Sequence, residues 1–131
     1  MDGVQIGTRV SIHGDWSVTH VVGDLDMASA PALRATVLQQ LDDGWTHLVL
    51  DLTGSDFIDS SGVGVIVGFL RRIRNRAGQL ELVVPLPEQR RIFELCELDR
   101  IFTLHADLDA AIAPAVPAAP VAAPAADGNT P

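Results

Sequence analysis

The chain has 131 residues and a formal net charge of −8, and it contains no lysine. This length suits a single domain with a substantial core, while the acidic balance argues against nucleic acid or an anionic lipid surface as the main partner. Without lysine, a P-loop and Schiff-base chemistry are both excluded.

A single cysteine, Cys96, rules out an intrachain disulfide and fits a reducing cytoplasm. No apolar run reaches the roughly 18 residues that a membrane span requires. We therefore expect a cytoplasmic protein without a membrane span. Cys96 itself lies in an apolar helical pattern with no histidine motif nearby, which predicts a buried core residue.

The first part of the chain predicts a β-hairpin followed by a helix. Loose alternation of apolar and polar residues over residues 4–13, a turn signal, and an apolar run over residues 16–22 indicate the hairpin. We expect Ser29 as the N-cap of the helix, Pro31 in its first turn and Gly44 as a left-handed residue at its end. Helical spacing predicts that its inward face is formed by Ala30, Leu33, Val37, Leu38 and Leu41.

The second part of the chain alternates strands and helices. A short apolar run over residues 48–52, followed directly by a helix, is typical of a central strand in an α/β sheet. The later elements are a strand over 80–84, a helix over 87–98, a strand over 101–104, and a short helix over 107–113 with Asp107 as its cap. Residues 1–113 are therefore predicted to form one α/β domain.

Residues 114–131 differ in composition from the rest of the chain. They hold most of the eight prolines, much alanine and no aromatic residue. Such a segment cannot bury enough apolar surface to offset the entropy lost on ordering. We predict a disordered Ala/Pro-rich tail.

Residues 56–68 open the most informative helix, which is predicted to run from Ser60 to about Ala77. One flank of this helix is apolar and is formed by Val63, Val65, Ile66, Val67, Phe69, Leu70, Ile73 and Ala77. The opposite line consists of Ser60, Gly64, Gly68, Arg71 and Asn75. Glycine costs roughly 1 kcal/mol against alanine inside a helix, so the two outer glycines need a reason. Either another protein approaches the helix backbone beside the serine, or a loop of the same chain packs closely there.

The same segment resembles the signature of a known family. The run Asp59-Ser60-Ser61-Gly62-Val63-Gly64, followed by an apolar helix, resembles the signature of STAS domains, and within them the bacterial anti-sigma factor antagonists. The run Gly23-Asp24-Leu25-Asp26 resembles a second family element, a Gly-acidic-Leu-Asp turn beside the serine loop. With matching spacing of strands and helices, the likeness covers roughly residues 4–113.

The resemblance implies a STAS-like single domain with a mixed β-sheet and packed helices. It also implies a switch, in which the unphosphorylated protein binds an anti-sigma factor serine kinase and releases the sigma factor, while phosphorylation of Ser60 ends the binding. ATP belongs to the partner, and this chain needs no cofactor. Asp26 and Asp59 would orient the serine or contact the partner, and the glycines would let the partner approach. The residues expected to bind the partner are Asp24, Asp26, Asp59, Ser61, Gly62, Gly64 and Gly68.

The residues around Ser60 favour a switch on physical grounds as well. A serine at a helix start is often only an N-cap, but Ser60 is doubled by Ser61, and capping does not need both. A phosphoryl group adds about −1.5 to −2 charges, which would lie among neighbouring carboxylates and face the partner. The carboxylates expected on the same rim are Asp24, Asp26, Asp56 and Asp59.

Catalytic functions are disfavoured one by one. Asp24-x-Asp26 resembles the paired aspartates of haloacid-dehalogenase-type phosphatases, but Ala28 replaces the expected threonine or valine and the chain is short. Asp51 at a strand end resembles a receiver-domain phosphoacceptor, but the required lysine is missing. Four scattered histidines do not indicate a metal site. We therefore expect a protein that is not an enzyme and has neither a catalytic residue nor a metal.

Two alternatives to the phosphorylation switch stay open. One is a STAS module that is never phosphorylated and serves as a scaffold or as an accessory subunit of a membrane transporter. The other is a STAS module that senses a nucleotide at the serine loop.

Overall fold

The computed structural model describes residues 6–113, in which five strands form a single mixed sheet. The strands are β1 (Gly7–His13), β2 (Trp16–Val22), β3 (His47–Gly54), β4 (Gln79–Val83) and β5 (Leu104–His105), and they lie in this order across the sheet. β1 and β2 are antiparallel, and each later pair is parallel. The predicted hairpin and the α/β class are confirmed.

Helices cover both faces of this sheet. Within residues 6–113 they are α1 (Ala30–Asp42), α2 (Ser60–Arg74), α3 (Pro87–Leu95) and α4 (Leu108–Ile112), with a 3₁₀ turn (Leu98–Arg100) after α3. Alternate residues of β3 point to opposite faces, so Leu50 joins the larger core under α1, α2 and α3, while Val49 joins a smaller core under α4. β3 is thus buried on both faces, as its continuous apolar run predicts.

The inward faces of α1 and α2 largely match the prediction. On α1, Ala30, Leu33, Val37 and Leu41 are buried, and Leu38 is partly buried against the larger core. On α2, the buried side chains are Val63, Ile66, Phe69, Leu70 and Ile73, with Val65 and Val67 partly buried beside them.

The start of α1 differs from the prediction. Ser29 occupies the N-cap position but makes no capping hydrogen bond, and its hydroxyl donates to the Asp24 carbonyl at 2.7 Å. A helical turn already begins at Asp26, whose carbonyl accepts the Ala30 amide at 2.8 Å. The Asp26 carboxylate accepts the amides of Ala28 and Ser29, each at 3.0 Å. The predicted N-cap position of Ser29 is therefore right, but its side chain makes no capping bond, and Asp26 supplies a carboxylate acceptor one turn earlier.

The ends of the two central helices behave differently. Gly44 follows α1 with a φ of +100°, as predicted. α2 ends at Arg74, earlier than predicted, and Ala77 is exposed with a φ of +56°. The left-handed Ala77 ends the helical run, and the Gly78 amide then donates back to the Ile73 carbonyl at 2.9 Å. Gly78 also lies against the Thr46 carbonyl, where a Cβ has no room. Ala77 is thus a turn residue and not part of the apolar flank.

The region after α3 contains two further corrections. Glu97 takes a left-handed conformation with a φ of +59°, which breaks the helical spacing and leaves Cys96 exposed. Phe102 packs edge-on against Phe93, with ring centroids 6.3 Å apart, and it lies in a turn. The last strand is therefore Leu104–His105 and not residues 101–104. The final helix agrees with the prediction that Asp107 is its cap, since the Asp107 carboxylate accepts the Ala110 amide at 2.8 Å.

Candidate functional site

Two loops lie side by side at the carboxyl ends of β2 and β3. Leu25 and Ile58 form a parallel β-bridge, in which the Leu25 amide donates to the Phe57 carbonyl at 2.8 Å and the Asp59 amide donates to the Leu25 carbonyl at 3.1 Å. The Ser55 hydroxyl adds a bond to the Gly23 carbonyl at 2.7 Å. The acidic turn and the serine loop are thus one connected surface.

Asp59, and not Ser60, caps α2. Asp59 has an extended backbone, and its Oδ1 accepts the amides of Ser61 at 2.9 Å and Gly62 at 3.1 Å. Ser60 is the first residue of the helix and is exposed. Within residues 6–113 its hydroxyl has no hydrogen-bond partner. The serine hydroxyl therefore has no part in holding the helix end.

The two aspartates predicted to orient the serine are committed to the backbone instead. Asp26 holds the amides of the turn that leads into α1, and Asp59 holds those of α2. Neither carboxylate bonds the Ser60 hydroxyl. Their common effect is to order the two loops that surround the serine.

The rim of this surface is acidic and partly apolar. Asp24 and Asp56 are exposed and flank the bridged residues, so the four predicted carboxylates do lie along the same edge. Two large apolar side chains lie in the same loops: Met27 is 76% exposed and Phe57 is 53% exposed. Sequence analysis missed both, although a large apolar residue inside a polar turn was the available signal.

The three glycines of α2 have different surroundings. Gly62 is buried, and a Cβ there would lie 2.7 Å from Leu25 Cγ. Gly62 therefore packs against Leu25 and does not face a partner, unlike what the sequence predicts. A Cβ at Gly64 or Gly68 would meet no atom within 4 Å. Close packing within the chain, one of the two explanations left open, therefore applies to Gly62 and not to the outer pair.

Asp51, whose position resembles that of a receiver-domain phosphoacceptor, has a structural role. Its carboxylate accepts the Thr53 hydroxyl at 2.6 Å and the Thr53 amide at 3.0 Å, and it contacts His20 Nδ1 at 2.8 Å. Burial alone raises the pKa of Asp51, but the bonds from Thr53 and His20 outweigh it, and the pKa lies below the ordinary value of 3.8. No group of three or more potential metal ligands occurs among residues 6–113.

A mixed sheet with a helix-opening serine beside a bridged acidic turn defines a STAS-type domain. The chain belongs to the STAS domain family, whose model matches residues 8–111. The resemblance noted in the sequence is thereby confirmed. No helix in the described part of the chain is both long and apolar enough to cross a membrane.

Individual relatives are named as antagonists of anti-sigma factors. An anti-sigma F factor antagonist of Lysinibacillus sphaericus is 33% identical over 82 residues, which cover 62% of this chain and 70% of the relative. The crystal structure of an anti-sigma factor antagonist from Mycobacterium paratuberculosis matches with a TM-score of 0.76 at 32% identity, over 82% of this chain and 92% of that one. The phosphorylated form of the Bacillus cell fate determinant SpoIIAA matches with a TM-score of 0.64 at 26% identity, over 81% and 96%.

Proposed function

We propose that this protein is an anti-sigma factor antagonist controlled by phosphorylation of Ser60. Unphosphorylated, it binds an anti-sigma factor serine kinase in the cytoplasm, and the sigma factor is released. The kinase, which binds the ATP, transfers a phosphoryl group to Ser60, and the complex dissociates. This is a binding function and not an enzymatic one.

The observation that carries the proposal is the Ser60 hydroxyl, which is exposed and makes no bond within residues 6–113, beside a cap supplied by Asp59. A kinase can reach such a hydroxyl without opening the fold. A phosphoryl group at the start of a helix is also tolerated, because the N-terminal end of the helix dipole favours negative charge.

A charge added at Ser60 is large enough to act as a switch. Two unit charges about 6 Å apart, in a surface environment with an effective dielectric of about 20, interact by about 2–3 kcal/mol. That amount changes a dissociation constant by about a hundredfold. The added anion repels an acidic partner group that lies near Ser60, and its bulk disturbs the apolar contacts that the exposed Met27 and Phe57 offer.

The relatives support the same function. Two of those reported above are named anti-sigma factor antagonists, and SpoIIAA, whose unphosphorylated form is named an anti-sigma factor antagonist, also has a solved phosphorylated form.

The test is to incubate the protein with the cognate anti-sigma factor kinase and ATP, and to map the phosphosite by mass spectrometry. We expect phosphate on Ser60 in the parent and in the matched control Ser61→Ala, but not in Ser60→Ala. The Ser60→Ala protein should bind the kinase whether or not ATP is present, and Ser60→Asp should bind more weakly than the parent. Phosphate on Ser61, or equal binding by Ser60→Asp and the parent, would contradict the proposal.

A further inference from the structure

A groove runs between α1 and α2, next to the proposed phosphorylation site. It has a volume of about 390 Å³ and is lined by Arg34, Ser61, Gly64, Val65, Gly68, Phe69 and Arg72. Gly64 and Gly68 lie one helical turn apart and leave the groove open, because a Cβ at either position would meet no atom within 4 Å. Ser61 follows Ser60 directly, so the groove continues from the serine loop along α2.

The charge of this groove is opposite to that of the protein. The net charge is −8, yet among the described residues that line the groove, the charged ones are Arg34 of α1 and Arg72 of α2. Both are exposed, and neither forms an ion pair with another residue in the range 6–113. Arg76 differs, since its guanidinium donates to the Leu41 carbonyl at 2.6 Å. The two groove arginines thus remain available to a ligand from outside.

We propose that an acidic segment of the anti-sigma factor lies in this groove and places a carboxylate against Arg34 and Arg72. This inference rests on the proposed function, because it concerns the same partner. Guanidinium groups bind carboxylates through paired N–H donors, which fixes the orientation of the bound group. The open glycines let the backbone of that segment approach α2, and half-buried Val65 provides an apolar contact below the carboxylate.

With this groove, the binding surface has one negatively charged part and one positively charged part. The serine edge, with Asp24 and Asp56, selects basic groups on the partner, and the groove selects an acidic one. A partner turned end for end would place like charges together at both positions, so the pattern sets its orientation as well as its affinity.

Charge reversal tests the arginines. The probe is the purified kinase that phosphorylates the parent on Ser60, and its affinity is measured by calorimetry. Arg34→Glu and Arg72→Glu should each weaken binding about tenfold, and the salt dependence of binding should fall in both variants. Arg74→Glu is the matched control, because it makes the same charge change on an exposed part of α2 outside the groove, and it should bind nearly as the parent does.

Filling the groove tests the glycines independently of charge. Leucine is a far better helix residue than glycine, so Gly64→Leu should raise the melting temperature while it lowers the affinity for the kinase. A higher melting temperature together with a lower affinity would show that the surface is blocked and the fold is intact. Parent-like affinity of Gly64→Leu would show that no partner enters the groove, and would overturn the inference.

The outcomes distinguish this inference from the function on which it rests. If both arginine variants bind as the parent does while Ser60→Asp still binds more weakly, the groove inference is overturned and the proposed function stands. If the parent itself binds no anti-sigma factor, the proposed function fails. Two titrations of the parent cover other occupants: saturable binding of inorganic phosphate that Arg34→Glu and Arg72→Glu abolish, or a dimer that Arg34→Glu abolishes, would also overturn the inference.

Discussion

Replacing Gly62 by alanine should destabilise the fold, although alanine is the better helix residue. A Cβ at this position would lie 2.7 Å from Leu25 Cγ and 2.9 Å from the Leu25 carbonyl oxygen. That carbonyl accepts the Asp59 amide at 3.1 Å, and the Leu25 side chain is fully buried, so neither atom can retreat without moving the junction of the two loops. Overpacking costs about 1–3 kcal/mol, and a clash with a fixed backbone oxygen belongs in the upper part of this range, at about 2–3 kcal/mol. The gain in helix propensity offsets up to about 1 kcal/mol of it. We expect a net loss of about 1–2 kcal/mol.

The matched control is Gly64→Ala on the same helix. A Cβ there meets no atom within 4 Å, so only the propensity gain applies and stability should rise by up to about 1 kcal/mol. One kcal/mol corresponds to about 4 °C in a domain of this size. Thermal melts should therefore show a fall of about 4–8 °C for Gly62→Ala and a rise of up to about 4 °C for Gly64→Ala. If Gly62→Ala melts at or above the parent, the contact with Leu25 does not lock the loops and this reasoning is refuted.

Three further variants test the supports of the site and the limits of the domain. Asp59→Ala should lower the free energy of unfolding by about 0.5–2 kcal/mol, since two amides lose their acceptor; an unchanged urea midpoint would contradict the cap. The pKa of Asp51 in the folded protein is lowered, so its carboxylate adds to the free energy of unfolding fully above pH 3.8, and this contribution is lost as pH falls through the lower folded value. Asp51→Asn should therefore reduce the fall in melting temperature at acid pH, and an unchanged pH dependence would contradict this. Truncation after Ala113 should change the melting temperature by less than about 5 °C, because the described helices and strands all end before it; a larger fall would assign the removed residues a packing role.

The elements that the sequence predicts well are those with strong periodicity. The hairpin, β3 and the buried face of α2 follow from alternation, a continuous apolar run and helical spacing. The errors at Ala77 and Glu97 have one cause: both take left-handed conformations without being glycine, and nothing local in the sequence marks such a residue. Each shifted an element boundary, and the second also changed the predicted burial of Cys96.

The site shows the same division between local and tertiary information. The serine, the carboxylates and the glycines of the site follow from their order along the chain, and so does the nearness of the two loops, whereas the exposed Met27 and Phe57 were missed. What the sequence did not distinguish is the role of each glycine, because Gly62 and Gly64 are equivalent in a helical pattern and differ only through contact with Leu25. The missing capping bond of Ser29 has a related reason, since Asp26 is an equally good acceptor one turn earlier. The predicted tail, residues 114–131, lies outside the described residues.

The division of labour between Asp59 and Ser60 explains why a modification at this site need not disturb the domain. If the serine were the cap, esterifying its hydroxyl would remove an acceptor from α2 at a cost of about 0.5–2 kcal/mol, and binding and stability would change together. Here Asp59 Oδ1 holds the amides of Ser61 and Gly62, and Gly62 is packed against Leu25. A charge added at Ser60 therefore changes the electrostatic surface offered to a partner while the two loops keep their arrangement. Asp59 thus stabilises the helix end while Ser60 carries the proposed phosphorylation, and a mutation can change either residue without changing the role of the other.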